Sequence, residues 1–211
     1  MIENALIFDL DGTLTDPAEG IGNSLNYALS AFGYAPIALT DVSQFIGPPL
    51  DQSFRQLTGA TSAAIINGLV VKYRERYADA GYAENRLYPG IPESLAALAA
   101  QGRQLGVCTS KRADFAERIL EMFGLQERFA FLSGGDVGVH KVDQLGELLR
   151  SGTVGAASTM IGDRSVDVLA AKQHGLRSVG VLWGHGSRDE LERAGPNLLL
   201  GTVSELHALG R

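Results

Sequence analysis

Six short apolar runs limit most strongly what this chain can fold into. They are Ala5 to Leu10, Leu105 to Ser110, Ala130 to Ser133, Ser158 to Ile161, Ser178 to Trp183 and Asn197 to Leu200. Each is too short for a stable helix and continuous rather than alternating, the pattern of a strand buried on both faces. Helical stretches lie between them. In Arg112 to Phe123, Phe115, Ile119, Leu120 and Phe123 recur at helical spacing before Gly124. Arg164 to His174 places Val166, Leu169 and Ala170 on one face before Gly175, and Ile91 to Gln101 carries Pro92 in its first turn. Thr202 and Glu205 have the spacing of a capping box that would open a last helix. Strands alternating with helices imply an α/β fold, a parallel sheet covered by helices on both faces.

The alternation breaks once. From residue 16 to residue 85 there is no strand signal, only three helical stretches: Glu19 to Phe32, Leu50 to Leu57 and Ser62 to Ala80. About 70 residues far exceed the dozen or so that a crossover between parallel strands requires. The block is expected to be a helical cap inserted into the sheet domain, with hinges near Asp16–Pro17 and Arg86–Pro89. The domains are then 1–15 with 86–211 as the α/β core, and 16–85 as the cap.

Composition removes several classes of function. Of the 211 residues, 45% are hydrophobic and 20% charged, which excludes a disordered chain. The net charge of −6, without a basic run, argues against nucleic acid or an anionic membrane as a partner. No apolar run reaches the roughly 18 residues of a membrane span. Cys108 is the one cysteine, so no internal disulfide forms. That, with an acidic N-terminal stretch unlike a secretory signal, makes a cytoplasmic location the expectation.

The chemistry begins at Asp9-Leu10-Asp11-Gly12-Thr13, where the first strand ends. The carboxyl edge of a parallel sheet is where open α/β folds bind ligands. Two carboxylates so close repel unless a cation joins them, and Mg²⁺ suits hard oxygen ligands. The same pair also suits an Asx turn closing a strand. Thr13 offers a phosphate oxygen a hydroxyl and an N–H. Thr109 and Ser110 end the second strand, Lys141 follows the third, and Gly162-Asp163-Arg164-Ser165-Val166-Asp167 ends the fourth. Their order and their common edge carry more weight than any of them alone.

The set Asp9–Asp16 (DLDGTLTD), Val107–Ser110 (VCTS), Lys141 and Ile161–Asp167 (IGDRSVD) resembles the phosphatase branch of the haloacid dehalogenase superfamily, over the whole chain. Phe45–Phe54 (FIGPPLDQSF) and Asn85–Ile91 (NRLYPGI) resemble its phosphoglycolate phosphatase and 5′-nucleotidase-like group. The resemblance implies a Rossmann-like core with an inserted cap and a Mg²⁺-dependent phosphomonoester hydrolase. Asp9 matches the nucleophile and Asp11 the general acid/base. Asp9, the backbone carbonyl of Asp11 and Asp163 match the metal ligands. Asp167 matches an acid that orients the metal shell or holds Lys141. Gly12, Thr13, Thr109 and Ser110 match phosphoryl binding, and Lys141 matches the group that neutralises the transferring phosphate. Two departures stand out: Val142 follows Lys141 where this group usually has proline, and His185 stands where a tyrosine is commoner.

Within the cap, Arg55 is the basic residue nearest the Gly47–Leu50 loop and the candidate for a substrate's remote anionic end. The expected substrate is a small phosphate ester, most like phosphoglycolate, and the expected state is a monomer or homodimer. The alternatives are a 5′-nucleotidase, a pyrophosphatase, a phosphomutase and a non-catalytic phosphate-binding module. Asp11 argues against a dehalogenase, which needs no acid there. A phosphonate hydrolase would need a cap lysine for a Schiff base, and Lys72 is the one lysine in that segment.

Overall fold

A computed structural model describes residues 2–210. In chain order the elements are β1 (Ala5–Phe8), β2 (Thr15–Asp16), α1 (Ala18–Ala31), α2 (Leu50–Thr58), α3 (Ala63–Asp79), β3 (Arg86–Leu87), α4 (Ile91–Ala100), β4 (Gln104–Arg112), α5 (Ala113–Met122), β5 (Leu132–Gly135), α6 (Lys141–Arg150), β6 (Thr159–Gly162), α7 (Ser165–Gln173), β7 (Arg177–Val181), α8 (Arg188–Ala194) and β8 (Leu198–Leu200). The main sheet is six-stranded and parallel, in the order β5-β4-β1-β6-β7-β8, and is flanked by helices. From β1 the chain builds outward to β4 and β5, then returns to lay β6 on the other side of β1. Strand β1 is therefore the point at which the order reverses, and ligands of such sheets bind at the carboxyl ends beside it.

The chain divides into two compact units, Met1–Asp16 with Leu87–Arg211, and Pro17–Arg86. The larger holds the sheet. Ala5 and Ile7 of β1, Cys108, Leu145, Met160, Ala170 and Ala171 are packed in one apolar cluster. The smaller unit is helical: α1 and α2 pack on α3 around Leu25, Leu29, Phe54, Ile66, Leu69 and Tyr77. Tyr73 stacks on Tyr77 with ring centres 5.5 Å apart, and Phe54 meets Tyr73 edge-on at 6.3 Å.

Several expectations shift. Strands β2 and β3, two residues each, pair where the chain leaves and re-enters the larger unit, and nothing that short shows periodicity. The third strand of the sheet lies at Leu132–Gly135 rather than Ala130–Ser133. Glycines suit its last two positions because neighbours crowd them: a Cβ on Gly134 would stand 2.4 Å from Ala113 Cα at the start of α5, and one on Gly135 2.7 Å from the Ser110 carbonyl of β4. On α7 the buried residues are Asp167, Val168, Ala170 and Ala171, while Val166 and Leu169 are exposed. Turning Asp167 inward to its lysine partner outweighs the burial of two aliphatic side chains. The last helix is of the tight 3₁₀ type, Val203–Gly210. Glu205 there accepts from Gly201 N at 2.6 Å and Thr202 pairs with Ser204, so the expected capping box does not form.

Candidate active site

Strand β1 delivers Asp9 to the carboxyl edge, where its N–H donates to the Ile161 carbonyl of β6 at 2.8 Å. A tight loop follows. The Leu10 carbonyl accepts from Leu14 N and Thr15 N at 2.9 and 3.0 Å, and Gly12 N donates to Thr15 O at 2.7 Å. Gly12 turns the chain with φ +85°, and a Cβ there would stand 2.2 Å from Asp163 Oδ2. Only glycine gives both the left-handed turn and that close approach.

Four charged side chains lie buried together at the ends of β1 and β6 and at the starts of α6 and α7. Asp9, Asp163 and Asp167 each present an oxygen within 4.8 Å of the others. Lys141, the first residue of α6, is buried with its ammonium 3.1 Å from Asp9 Oδ1 and hydrogen-bonded to Asp167 Oδ1. Burial alone would push the lysine's pKa down, but Asp167 and then Asp9 outweigh it and hold the pKa above its ordinary value. Burial, with Asp167 and Asp9 nearby, pushes Asp163 up to about 7. Burial also raises Asp167, against the pull of Lys141. One ammonium among three carboxylates leaves negative charge uncompensated in a buried place, and such charge is paired or bound to metal. The donors are all hard oxygens, so a cation such as Mg²⁺ fits them.

Neighbouring groups fix this cluster. Asp163 Oδ1 accepts from the Thr13 hydroxyl at 3.3 Å and Oδ2 from His185 N at 2.8 Å. Asp167 Oδ2 accepts from Arg164 N at 3.1 Å. The Trp183 indole donates to the Thr13 carbonyl at 3.0 Å, tying the loop after β7 to the loop after β1.

The sequence-derived residues separate into groups. Asp9, Asp163, Asp167 and Lys141 come together. Asp11 is not one of the three mutually close acids: Oδ2 pairs with Lys111 at 2.7 Å, and Oδ1 is buried without a hydrogen-bond partner. Its backbone carbonyl, rather than its carboxylate, is what the metal reading assigns to it. Burial raises its pKa, with Lys111 opposing. Thr109 is buried just before the bulge of β4, its hydroxyl accepting from Lys111 N at 3.2 Å, and Ser110 beside it is half-buried. Arg55 lies on α2 of the helical unit, exposed, with Nη1 3.4 Å from the Thr61 carbonyl.

Two residues at this edge escaped sequence reasoning. Lys111, beside Asp11, sits where β4 bulges: Thr109 pairs with Gly134 and Arg112 with Gly135, leaving Ser110 and Lys111 between. Bulges re-aim side chains beside active sites. The available signal was its period-two spacing from Thr109. His185, which the sequence marks only as a departure from a commoner tyrosine, is largely buried, with Nε2 3.2 Å from Asp16 Oδ1. Burial lowers its pKa against the pull of Asp16. The signal there was Trp183-Gly184-His185-Gly186 directly after a strand of the same sheet.

Residues 6–181 match the family model described as haloacid dehalogenase-like hydrolase. The chain belongs to that family. A "5'-nucleotidase" of Pseudomonas aeruginosa is 42% identical over 90% of this chain and 88% of its own. A "Tyrosine-protein kinase PtkA" of Mycobacterium tuberculosis is 38% identical over 97% of this chain and 72% of its own. A "Phosphoglycolate phosphatase" of Agrobacterium fabrum is 35% identical over 85% and 80%. A crystal structure of a predicted phosphatase from Clostridium acetobutylicum superimposes with a TM-score of 0.92 at 36% identity, covering 99% of this chain and 98% of that one.

Proposed function

We propose that this hydrolase is a Mg²⁺-dependent phosphatase of small phosphate monoesters that works through an aspartyl-phosphate. The observation that carries the reading is the buried cluster of Asp9, Asp163, Asp167 and Lys141 at the carboxyl edge beside β1. Phosphoryl transfer asks mainly for positioning and charge stabilisation, and this set supplies both. Asp9 Oδ1 is held by Leu10 N at 2.8 Å and by Lys141, which leaves Oδ2 to attack phosphorus. The phosphorus–oxygen bond to the leaving group breaks, and Asp11 gives the departing oxygen its proton. Asp11 then takes a proton from water, and the water oxygen attacks the phosphorylated Asp9. Phosphate departs and the Asp9 carboxylate returns. Lys141 faces the growing negative charge of the transferring group, and Asp167 holds that lysine. A Mg²⁺ held by Asp9, Asp163 and the Asp11 carbonyl would polarise the phosphoryl oxygens and screen the anionic nucleophile from its anionic target. Thr109 and Ser110 are the phosphoryl-oxygen ligands of this reading. In this reading the residues 16–85 are the inserted cap, and Arg55 is its candidate for a substrate's remote anionic end.

Phosphoglycolate is the first substrate to test, followed by nucleoside monophosphates, pyrophosphate and sugar phosphates. The expected result is Mg²⁺-dependent release of inorganic phosphate from p-nitrophenyl phosphate, with the highest kcat/KM on one small metabolite. EDTA-insensitive release would remove the metal from the account. Phosphate moved to another hydroxyl of the same sugar would identify a mutase. Release to water, rather than incorporation into protein, separates this reading from the activity named for the Mycobacterium tuberculosis relative.

A further inference from the structure

We propose that His174 is a positioning residue for Lys141: its ring N–H fixes the first turn of α6 and holds the lysine on the acidic cluster. The inference rests on the role given to Lys141 above. His174 Nε2 lies 2.7 Å from the carbonyl of Val142, the residue after Lys141. A carbonyl only accepts, so Nε2 carries the hydrogen.

The ring has a rigid mount. His174 caps the end of α7, where Gly175 N bonds to the Lys172 carbonyl and Leu176 N to the Ala171 carbonyl, both at 3.0 Å. Gly175 has φ +68° and Leu176 is buried in the core cluster, which completes a locked helix end. On its other side the ring packs over α6 at Gly146, where a Cβ would stand 3.0 Å from His174 Cε1. The imidazole is held on both helices.

The start of α6 needs such a tie. Helix α4 opens Ile91-Pro92, and the proline ring fixes φ in its first turn. Helix α6 opens Lys141-Val142, with no proline, and its N-cap His140 makes no side-chain cap bond. Two side chains brace this turn from outside. Gln144 Nε2 donates to the Thr109 and Ser133 carbonyls at 3.1 and 3.2 Å, and His174 donates to Val142. Lys141 is the first residue of that turn, and its ammonium must stay within 3.1 Å of Asp9. A shift of an ångström at such a group costs up to about a hundredfold in rate.

The test measures kcat and KM on p-nitrophenyl phosphate at saturating Mg²⁺. With one of two braces lost, His174→Ala should lower kcat about tenfold and leave KM within about twofold. His174→Gln, which keeps an N–H donor, should stay near the parent. Val142→Pro should be neutral alone and should restore most of the kcat in a Val142→Pro/His174→Ala double variant. If His174→Ala does not fold, His174→Leu gives the same reading while keeping bulk over Gly146. Parental kcat in the donor-less variant, or a double variant as slow as His174→Ala, would overturn the inference. Lys141→Met separates the two layers. Full turnover in that variant overturns the role of the lysine and this inference with it. A dead Lys141→Met beside a fully active His174→Ala overturns only the part played by His174.

Discussion

The two units of the chain handle charge in opposite ways. In the larger, Asp9, Lys141, Asp163 and Asp167 are buried together, and burial raises Asp163 and Asp167 toward their protonated forms. In the helical unit the buried positions are filled mainly by aliphatic and aromatic side chains. Its ion pairs lie at or near the surface: Lys72 with Glu75 at 2.7 Å, and Arg76 with Glu84 at 2.7 Å. Arg76 makes a two-pronged bond to Glu84 and also donates to the Ser24 hydroxyl at 3.2 Å, joining α3 to α1. Charge in the helical unit therefore serves local structure. In the larger unit it is concentrated at a cost to stability, which is the usual mark of a working site.

Four measurements can break or sharpen that contrast. Asp9→Asn should lower turnover by about a thousandfold or more, because it removes the proposed nucleophile and not an apolar contact. A circular dichroism melt at or above that of the parent would accompany the loss, and retained activity would leave the pair of aspartates as an Asx turn.

The second concerns the metal-free protein. A carboxylic acid raised in the folded state keeps a proton that the unfolded chain has already released. Its stability penalty is absent below the ordinary value of 3.8 and grows as pH rises toward about 7, the value for Asp163. His185, lowered by burial, acts in the opposite sense, so Asp163→Asn is the control that isolates the aspartate. With EDTA present, the melting temperature should fall by about 5 °C or more between about pH 5 and pH 8, less so in Asp163→Asn. Mg²⁺ should recover the loss at the higher pH. Glu84 and Asp114 are lowered by arginine partners, and their contribution disappears only below their ordinary values, outside this window.

Third, Arg76→Met should cost about 1–2 kcal/mol in urea unfolding, because a two-pronged, partly buried pair and a bond to Ser24 are lost. Its kcat should match the parent. Fourth, Lys72→Gln should move neither melting temperature nor activity, since exposed pairs one helical turn apart contribute little.

The sequence reveals some of this site because some of it is local. Asp9, Asp11 and Gly12 are neighbours in a strand-ending motif, and their meaning survives without coordinates. Asp163 and Asp167 are legible because they sit in a similar position after another apolar run. Lys111 was hidden because β4 runs on past the expected strand end at Ser110 through Lys111 and Arg112, where the sequence pattern opens a helix at Arg112, and because a bulge decides where the lysine points. The exposed face of α7 was misread because periodicity counts apolar residues. It has no access to the pull of Lys141 on Asp167, which turns an acid inward. His185 stayed illegible for a related reason: its backbone N–H, which no side-chain pattern encodes, bonds Asp163. The sheet order was open as well, since apolar runs say that strands exist and not which are neighbours.

Where the chain leaves and re-enters the larger unit, Thr15–Asp16 and Arg86–Leu87 lie side by side, and Tyr88 N bonds to the Leu14 carbonyl at 3.2 Å. The excursion between them starts and finishes at one doorway. Its length and content can change without re-threading any strand of the sheet, because loop closure costs little more as a loop lengthens. Such an architecture lets a lineage exchange the inserted module while the sheet and its buried acidic cluster are inherited intact.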